Sequence, residues 1–157
     1  MAERKEVDKA KTVLRNAKKN HTQIVLPVDV IGTFNGPKSR EKVVKSDAIP
    51  AGFAIYDIGP ETQAMFGSII HNSQTIVWNG PVGYCEEEKF CRGTDFLYYS
   101  ITHGGHPFSL VGGGDTIAAI SKKEYLDKIT HISTGGGAML EFIEKGTLPG
   151  LEALKHS

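Results

Sequence analysis

The 157-residue chain predicts an α/β fold: three layers, αβα, around a mostly parallel, Rossmann-like sheet. Three observations carry that prediction. Short apolar runs alternate with helical apolar periodicity along most of the chain. Two of those runs lead into glycine triplets, Gly112-Gly113-Gly114 and Gly135-Gly136-Gly137, and each triplet opens directly onto a helical pattern. A third run ends in Asn79-Gly80-Pro81-Val82-Gly83, too rich in glycine and proline to continue either element.

Taken in order, residues 3–19 read as an amphipathic helix, with Val7, Ala10, Leu14 and Ala17 on one stripe and Lys5, Lys9, Lys11, Arg15, Lys18 and Lys19 on the solvated faces. Gln23-Ile24-Val25-Leu26 reads as a buried strand stopped by Pro27, with Asp29 just beyond its end. Residues 32–50 carry Gly32, Gly36, Pro37 and Pro50 around a charged section and read as a surface excursion with a short hairpin. Residues 53–58 form the second strand. Gly59-Pro60 then turns into a helix from Glu61 to about Ile70, since proline suits a first helical turn.

Residues 75–78 form the third strand, and Thr94 is placed to cap a helix that runs to Thr102 and closes at Gly104-Gly105. Residues 108–111 and 129–132 form the fourth and fifth strands, each ahead of a glycine triplet. The last helix ends at Lys145-Gly146, and Leu148-Pro149-Gly150 breaks the chain before a short tail.

Composition narrows the function classes. Hydrophobic residues make up 39% and charged residues 23%, which suits one globular domain with a core. A net charge of zero implies no general attraction to nucleic acid or membrane. No apolar run is long enough to span a bilayer, and the N-terminus lacks the pattern of a signal peptide. Cys85 and Cys91 have neither zinc-site spacing nor the look of a disulfide framework, so the chain reads as reduced and cytoplasmic.

In a parallel sheet the C-terminal strand ends share one edge, where open α/β folds bind ligands. Asn79–Gly83, Gly112–Thr116 and Gly135–Gly137 should therefore gather on one rim. A single glycine triplet is better explained by a tight turn with no ligand. Two of them at strand-to-helix junctions favour an anion site, because the first helical amides are unpaired and the dipole adds positive charge.

The common templates do not fit. A dinucleotide fingerprint from either triplet would need glycine where Ile117 or Leu140 stands, and no GxxxxGK[ST] loop occurs. Asp115 serves either as a helix cap or, beside phosphates, as a Mg²⁺ ligand through water. Glu86 is either an exposed acid or a ribose contact. Pro81 and Leu26 either pack as ordinary turn and core residues or flank a flat base. Gly135, Gly136 and Gly137 offer bare amides to a phosphoryl group in transfer. His103, His106 and His131 are scattered without a nucleophile partner and read as structural.

The ordered set Leu26-Pro27-Val28-Asp29, Asp57-Ile58-Gly59-Pro60-Glu61-Thr62, Trp78-Asn79-Gly80-Pro81-Val82-Gly83, Gly112-Gly113-Gly114-Asp115-Thr116, residues 133–141 and Leu148-Pro149-Gly150 resembles the C-terminal half of phosphoglycerate kinase. The resemblance covers nearly the whole chain. It implies a glycolytic phosphotransferase that moves a phosphoryl group between 1,3-bisphosphoglycerate and Mg-ADP, giving 3-phosphoglycerate and ATP. By that resemblance Gly112, Gly113, Gly114, Asp115 and Thr116 line the nucleotide phosphates, with Asp115 toward Mg²⁺. Glu86 meets the ribose; Asn79, Pro81 and Leu26 lie against the nucleoside; Gly135, Gly136 and Gly137 serve the transferring phosphoryl.

Three departures stand out. Tyr84-Cys85 replaces an aliphatic residue and phenylalanine, and Met139 replaces a common serine. The chain is also less than half the family length. Residues 1–157 are thus expected to be a single partial domain. The phosphoglycerate-binding N-terminal domain and the first βα units of the nucleotide domain are expected to be absent. Such a fragment has little or no turnover alone and exposes unpaired strands that invite self-association. The alternative is a non-catalytic α/β module whose rim has become structural.

Overall fold

The computed structural model describes residues 4–105, 107–120 and 123–155. Among them are two three-stranded sheets rather than one. The first is antiparallel, in the order β2-β1-β3, with β1 at Asp29–Thr33, β2 at Lys42–Lys45 and β3 at Ala54–Ile58. The second is parallel, in the order β4-β5-β6, with β4 at Thr75–Asn79, β5 at Phe108–Gly112 and β6 at His131–Ser133. The helices are α1 (Arg4–Lys19), α2 (Pro60–His71), α3 (Arg92–His103), α4 (Gly114–Ala119), α5 (Gly136–Lys145) and α6 (Pro149–Lys155).

Three expectations are corrected here. The single mostly parallel sheet is replaced by a parallel sheet beside a small antiparallel one. Residues 22–27 form no strand, because no described strand runs alongside them to take their amides; the ladder begins instead at Asp29, where β2 and β3 flank β1. The charged excursion supplies the hairpin partner β2. Its lysines and valines tolerate an edge position, with all four residues exposed or half-buried. Past Leu148 the chain does not end in a loose tail: Pro149 opens α6, as proline at a first helical turn allows.

The parallel sheet has helices on both faces. Trp78 and Val111 sit side by side in register and pack with Tyr98 and Ile101 of α3, Ile120 and Ile129 in the main core. On the opposite face α5 lies over β5, where a Cβ on Gly112 would come within 2.4 Å of Met139 Cε. That face is only partly covered. Val77 and Phe108 remain 47% and 53% exposed, and β4 pairs only with β5 among the described strands. Helix α1 keeps the predicted periodicity, but Val7 and Leu14 on its stripe stay in solvent.

Two buried carboxylates hold the α2 and α3 helix starts. Asp29 accepts hydrogen bonds from the Glu61 and Thr62 amides at 3.1 and 2.8 Å and from the Thr62 hydroxyl at 2.7 Å. It thereby caps α2 from a neighbouring strand, although Gly59 occupies the cap position. Burial works to raise the pKa of Asp29, but the bonds from Thr62 and Glu61, with Lys45 nearby, outweigh it and hold the carboxyl below its usual range.

Asp57 accepts from the Gly93 amide at 2.9 Å and its neighbour Ile58 at 2.8 Å. Here burial dominates and pushes the pKa up to about 6. Thr94 is not the cap expected. It lies inside α3, and its hydroxyl accepts from Val82 N at 3.1 Å, because Cys91 already occupies the position that starts the helix.

Thr62→Val removes the hydroxyl that satisfies Asp29, and chemical denaturation should show a loss of about 2–3 kcal/mol. Asp57 binds its proton more tightly folded than unfolded, so its contribution to stability grows as pH falls from about 6 toward the ordinary carboxyl value of 3.8. Relative to Asp57→Asn, the parent chain should gain up to about 3 kcal/mol between pH 7 and pH 4. An equal pH dependence in both proteins would refute this assignment. The measurement is cleanest above about pH 4.5, where Asp29, with its lowered pKa, stays ionised and its stabilising contribution is retained.

Candidate nucleotide-phosphate rim

The parallel register brings the three glycine-bearing loops to one rim. Asn79 ends β4 opposite Gly112 of β5, and Gly112 pairs with Ser133 of β6. From there the Gly113 amide donates to Ser133 O at 3.1 Å. Gly113 has a φ of 98°, a left-handed conformation that glycine adopts without penalty.

The approach of the loops is close. A Cβ on Gly113 would lie 2.8 Å from Asn79 Oδ1, and one on Gly136 would lie 2.8 Å from Gly113 N and 3.0 Å from Asn79 Oδ1. Asn79 Nδ2 reaches Gly136 O at 3.4 Å. These glycines are needed because two backbones and an amide side chain share one space.

Thr116 fixes the third loop. It is fully buried; its hydroxyl donates to Gly112 O at 2.8 Å and accepts from Gly80 N at 2.7 Å. The Trp78 indole donates to Gly80 O at 2.8 Å, so the loop after β4 is held from both sides. The Thr116 side chain is thus occupied within the rim rather than directed at a ligand.

Two helices start at the rim. In α4 the first intrahelical amide is Ile117, which donates to Gly113 O; in α5 it is Met139, which donates to Gly135 O. The amides ahead of each sit in first turns, where helices leave them without intrahelical partners. Gly114, Gly135 and Gly137 are exposed there, whereas Gly136 is buried against Gly113. Asp115 is exposed in the first turn of α4 and makes no side-chain cap.

Beside the rim lies a cavity of about 440 Å³ lined by Pro81, Gly83, Tyr84, Cys85, Glu86, Asp115, Ala118 and Ala119. Of the sequence candidates, Pro81, Glu86 and Asp115 line this cavity; Asn79, Gly112, Gly113, Thr116 and Gly136 meet one another at the rim and are not among its lining residues. Leu26 is not among the cavity's lining residues and stands 62% exposed in the segment ahead of β1.

The cysteines correct an expectation. Cys85 and Cys91 form a disulfide. Spacing alone did not show it, because the intervening 3₁₀ turn at Glu88–Phe90 brings the two Cα atoms to 4.4 Å. Among the histidines, His103 stacks on Tyr99 at 4.0 Å and meets Tyr125 edge-on, a packing role; His131 is exposed on β6; His106 lies outside the described residues.

Among the described residues no three His, Cys, Asp or Glu side chains converge on a metal position, and no helix is long and apolar enough to cross a membrane. A lone exposed carboxylate beside open amides still suits Mg²⁺, which binds through one or two carboxylates together with phosphate oxygens and water.

Comparison with known proteins bears on the family of the chain. The family description "Phosphoglycerate kinase" matches residues 1–146. The chain is 41% identical over 152 residues to a phosphoglycerate kinase of Desulfosudis oleivorans, covering 96% of this chain and 38% of that protein. It is 39% identical to "Phosphoglycerate kinase 3, cytosolic" of Arabidopsis thaliana, covering all of this chain and 40% of that one. The solved phosphoglycerate kinase of Coxiella burnetii superposes with a TM-score of 0.88 at 36% identity, over 98% of this chain and 40% of that chain. That of Pyrococcus horikoshii gives 0.78 at 34% identity, over 95% and 36%. Spanning about two-fifths of the length of these relatives, the chain belongs to the phosphoglycerate kinase family.

Proposed function

We propose that this chain is the nucleotide-binding part of phosphoglycerate kinase, from its C-terminal half. In that reading it holds Mg-ADP or Mg-ATP while a phosphoryl group passes between the nucleotide and 1,3-bisphosphoglycerate or 3-phosphoglycerate. The observation that carries the reading is the meeting of Asn79, Gly113 and Gly136 where α4 and α5 begin, next to the cavity that holds Pro81, Glu86 and Asp115. Such a rim presents backbone amides to an anion and a carboxylate to its counter-ion.

In this reading each residue has a role. Gly112, Gly113 and Gly114 let the backbone come close to the nucleotide phosphates, and Thr116 holds that loop in shape. Asp115 holds the water shell of Mg²⁺, which when bound neutralises phosphate charge. Glu86 accepts from the ribose hydroxyls, and Asn79 and Pro81 lie against the nucleoside. Leu26 joins them only if the segment ahead of β1 closes over the cavity.

Gly135, Gly136 and Gly137 direct α5 amides at the transferring phosphoryl, whose negative charge is spread over its oxygens. Phosphoglycerate binds through the rest of the enzyme, so this chain alone turns over little or nothing, because positioning both reactants supplies much of the rate. The reading also places the protein in the cytoplasm.

Titration with Mg-ADP followed by amide NMR should move peaks of Gly112–Thr116, Gly135–Gly137 and the 79–86 loop while the rest of the spectrum stays put. A dispersed spectrum with no shifts would sink the nucleotide reading and leave the rim as a structural element. Gly136→Ala forces the two glycine loops apart and should weaken Mg-ADP binding about tenfold. Asp115→Asn should keep the fold, by thermal melting, and lose most of the Mg²⁺ enhancement of ADP binding in calorimetry.

A further inference from the structure

The Cys85–Cys91 bridge lies in the wall of the cavity rather than in the core. Cys85 is half-buried and lines the cavity between Tyr84 and Glu86, whereas Cys91 is 5% exposed at the start of α3. On the far side Cys91 Sγ touches Ala119 O at 3.4 Å, and Ala119 lines the same cavity. The bridge therefore connects the Glu86 loop to the α4 wall that carries Asp115.

The loop it closes is otherwise lightly held. Within residues 84–91, Glu87 N donates to Tyr84 O, Phe90 N to Glu87 O and Cys91 N to Glu88 O, all local turns. The anchors to the body are Tyr84 N on Tyr56 O at 2.8 Å, the Tyr84 ring and the fully buried Phe90 ring against Tyr56, and Lys89 Nζ on Ser39 O at 2.8 Å. Beyond the bridge, the stretch from Cys85 to Glu86 reaches α3 through a contact of Cys85 Sγ with Thr94 Oγ1 at 3.5 Å. A disulfide in an enzyme family with a cytosolic member is more often exchangeable than a permanent staple.

We infer that Cys85 and Cys91 form a reversible dithiol–disulfide exchange site, taking a dithiol reductant as its substrate, that sets the affinity of the adjoining nucleotide cavity. The inference rests on the nucleotide reading above. A reductant thiolate attacks Cys85 Sγ, the sulfur that faces the cavity, and forms a mixed disulfide with it. The Cys85–Cys91 bond breaks, its electron pair leaves on Cys91, and that sulfur takes up a proton. The second thiolate of the reductant then attacks its own sulfur in the mixed disulfide and releases Cys85, which is protonated in turn. Two electrons pass to the protein, and the reductant ends as an internal disulfide. Freed of the bridge, the Glu86 segment must be ordered each time nucleotide binds, at the cost of immobilising a long side chain.

The test is calorimetric titration of Mg-ADP into the air-oxidised chain and into the same chain after dithiothreitol, with thiols counted by alkylation and mass spectrometry. The expected result is no alkylated thiol before reduction and two after it. The dissociation constant should rise by roughly three- to tenfold on reduction and return on re-oxidation. Cys91→Ser, which leaves the cavity lining in place, should show the weaker affinity and ignore the reductant. Equal affinities in the two redox states, or free thiols in the air-oxidised chain, would overturn the proposal. If Mg-ADP binds in neither state, the nucleotide reading fails and the affinity coupling falls with it, while two thiols that appear only after dithiothreitol still uphold the exchange site itself.

Discussion

The Asp57 carboxylate, buried at the end of the small antiparallel sheet, accepts the Gly93 amide in the first turn of α3 and so ties that sheet to the helix covering the parallel one. A Cβ on Gly93 would stand 2.3 Å from Asp57 Oδ1, so the contact requires a residue without a side chain. The carboxylate has a cost as well as a use. Burial raises its pKa, and the chain accepts that in exchange for a fixed position of α3. Everything after α3 in the parallel sheet is placed relative to that helix, through Tyr98 and Ile101 against Trp78 and Val111.

From this frame the rim follows by packing. Once β4, β5 and β6 are in parallel register, their C-terminal ends deliver Asn79, Gly112 and Ser133 side by side. After β5 and β6 the chain must enter a helix within one or two residues, which forces backbone against backbone. Glycine at 113 and 136 is the chemical answer to that crowding, and the same bareness opens helix-start amides to an anion. The buried Thr116 hydroxyl, shared between Gly112 and Gly80, joins two of the loops into one unit. Function at such a rim is a by-product of turning sharply with small residues.

The opposite wall obeys different constraints. The loop from Tyr84 to Cys91 has little apolar anchorage beyond Phe90, and a covalent bond supplies part of its placement. Local stability varies across a fold, and segments that contact ligands tend to come from the weakly held end. Val77 and Phe108 remain exposed on one face of the parallel sheet, and β4 has one unpaired edge among the described residues.

Much of this was legible in the residues themselves. Local periodicity placed α2, α3, β3, β4 and β5, because each buries one face at a spacing that only a helix or a strand satisfies. Gly146 marked the end of α5 and adopts the left-handed conformation expected there. The meeting of Asn79, Gly113 and Gly136 could be anticipated, since strand-end loops of a parallel sheet share an edge. The apolar run 23–26 misled, because a strand needs a neighbour and apolarity does not report one.

Partition into two sheets, the capping of α2 by Asp29 across 32 residues (29 to 61), and the Cys85–Cys91 bridge were decided by tertiary structure. Each depends on which segments lie beside each other in space. Sequence by itself determined α2, α3, α5, β3, β4, β5 and the glycine loops, whose causes are local. The three-dimensional fold decided their partners, because hydrogen bonds and disulfides form between neighbours that the linear order does not name.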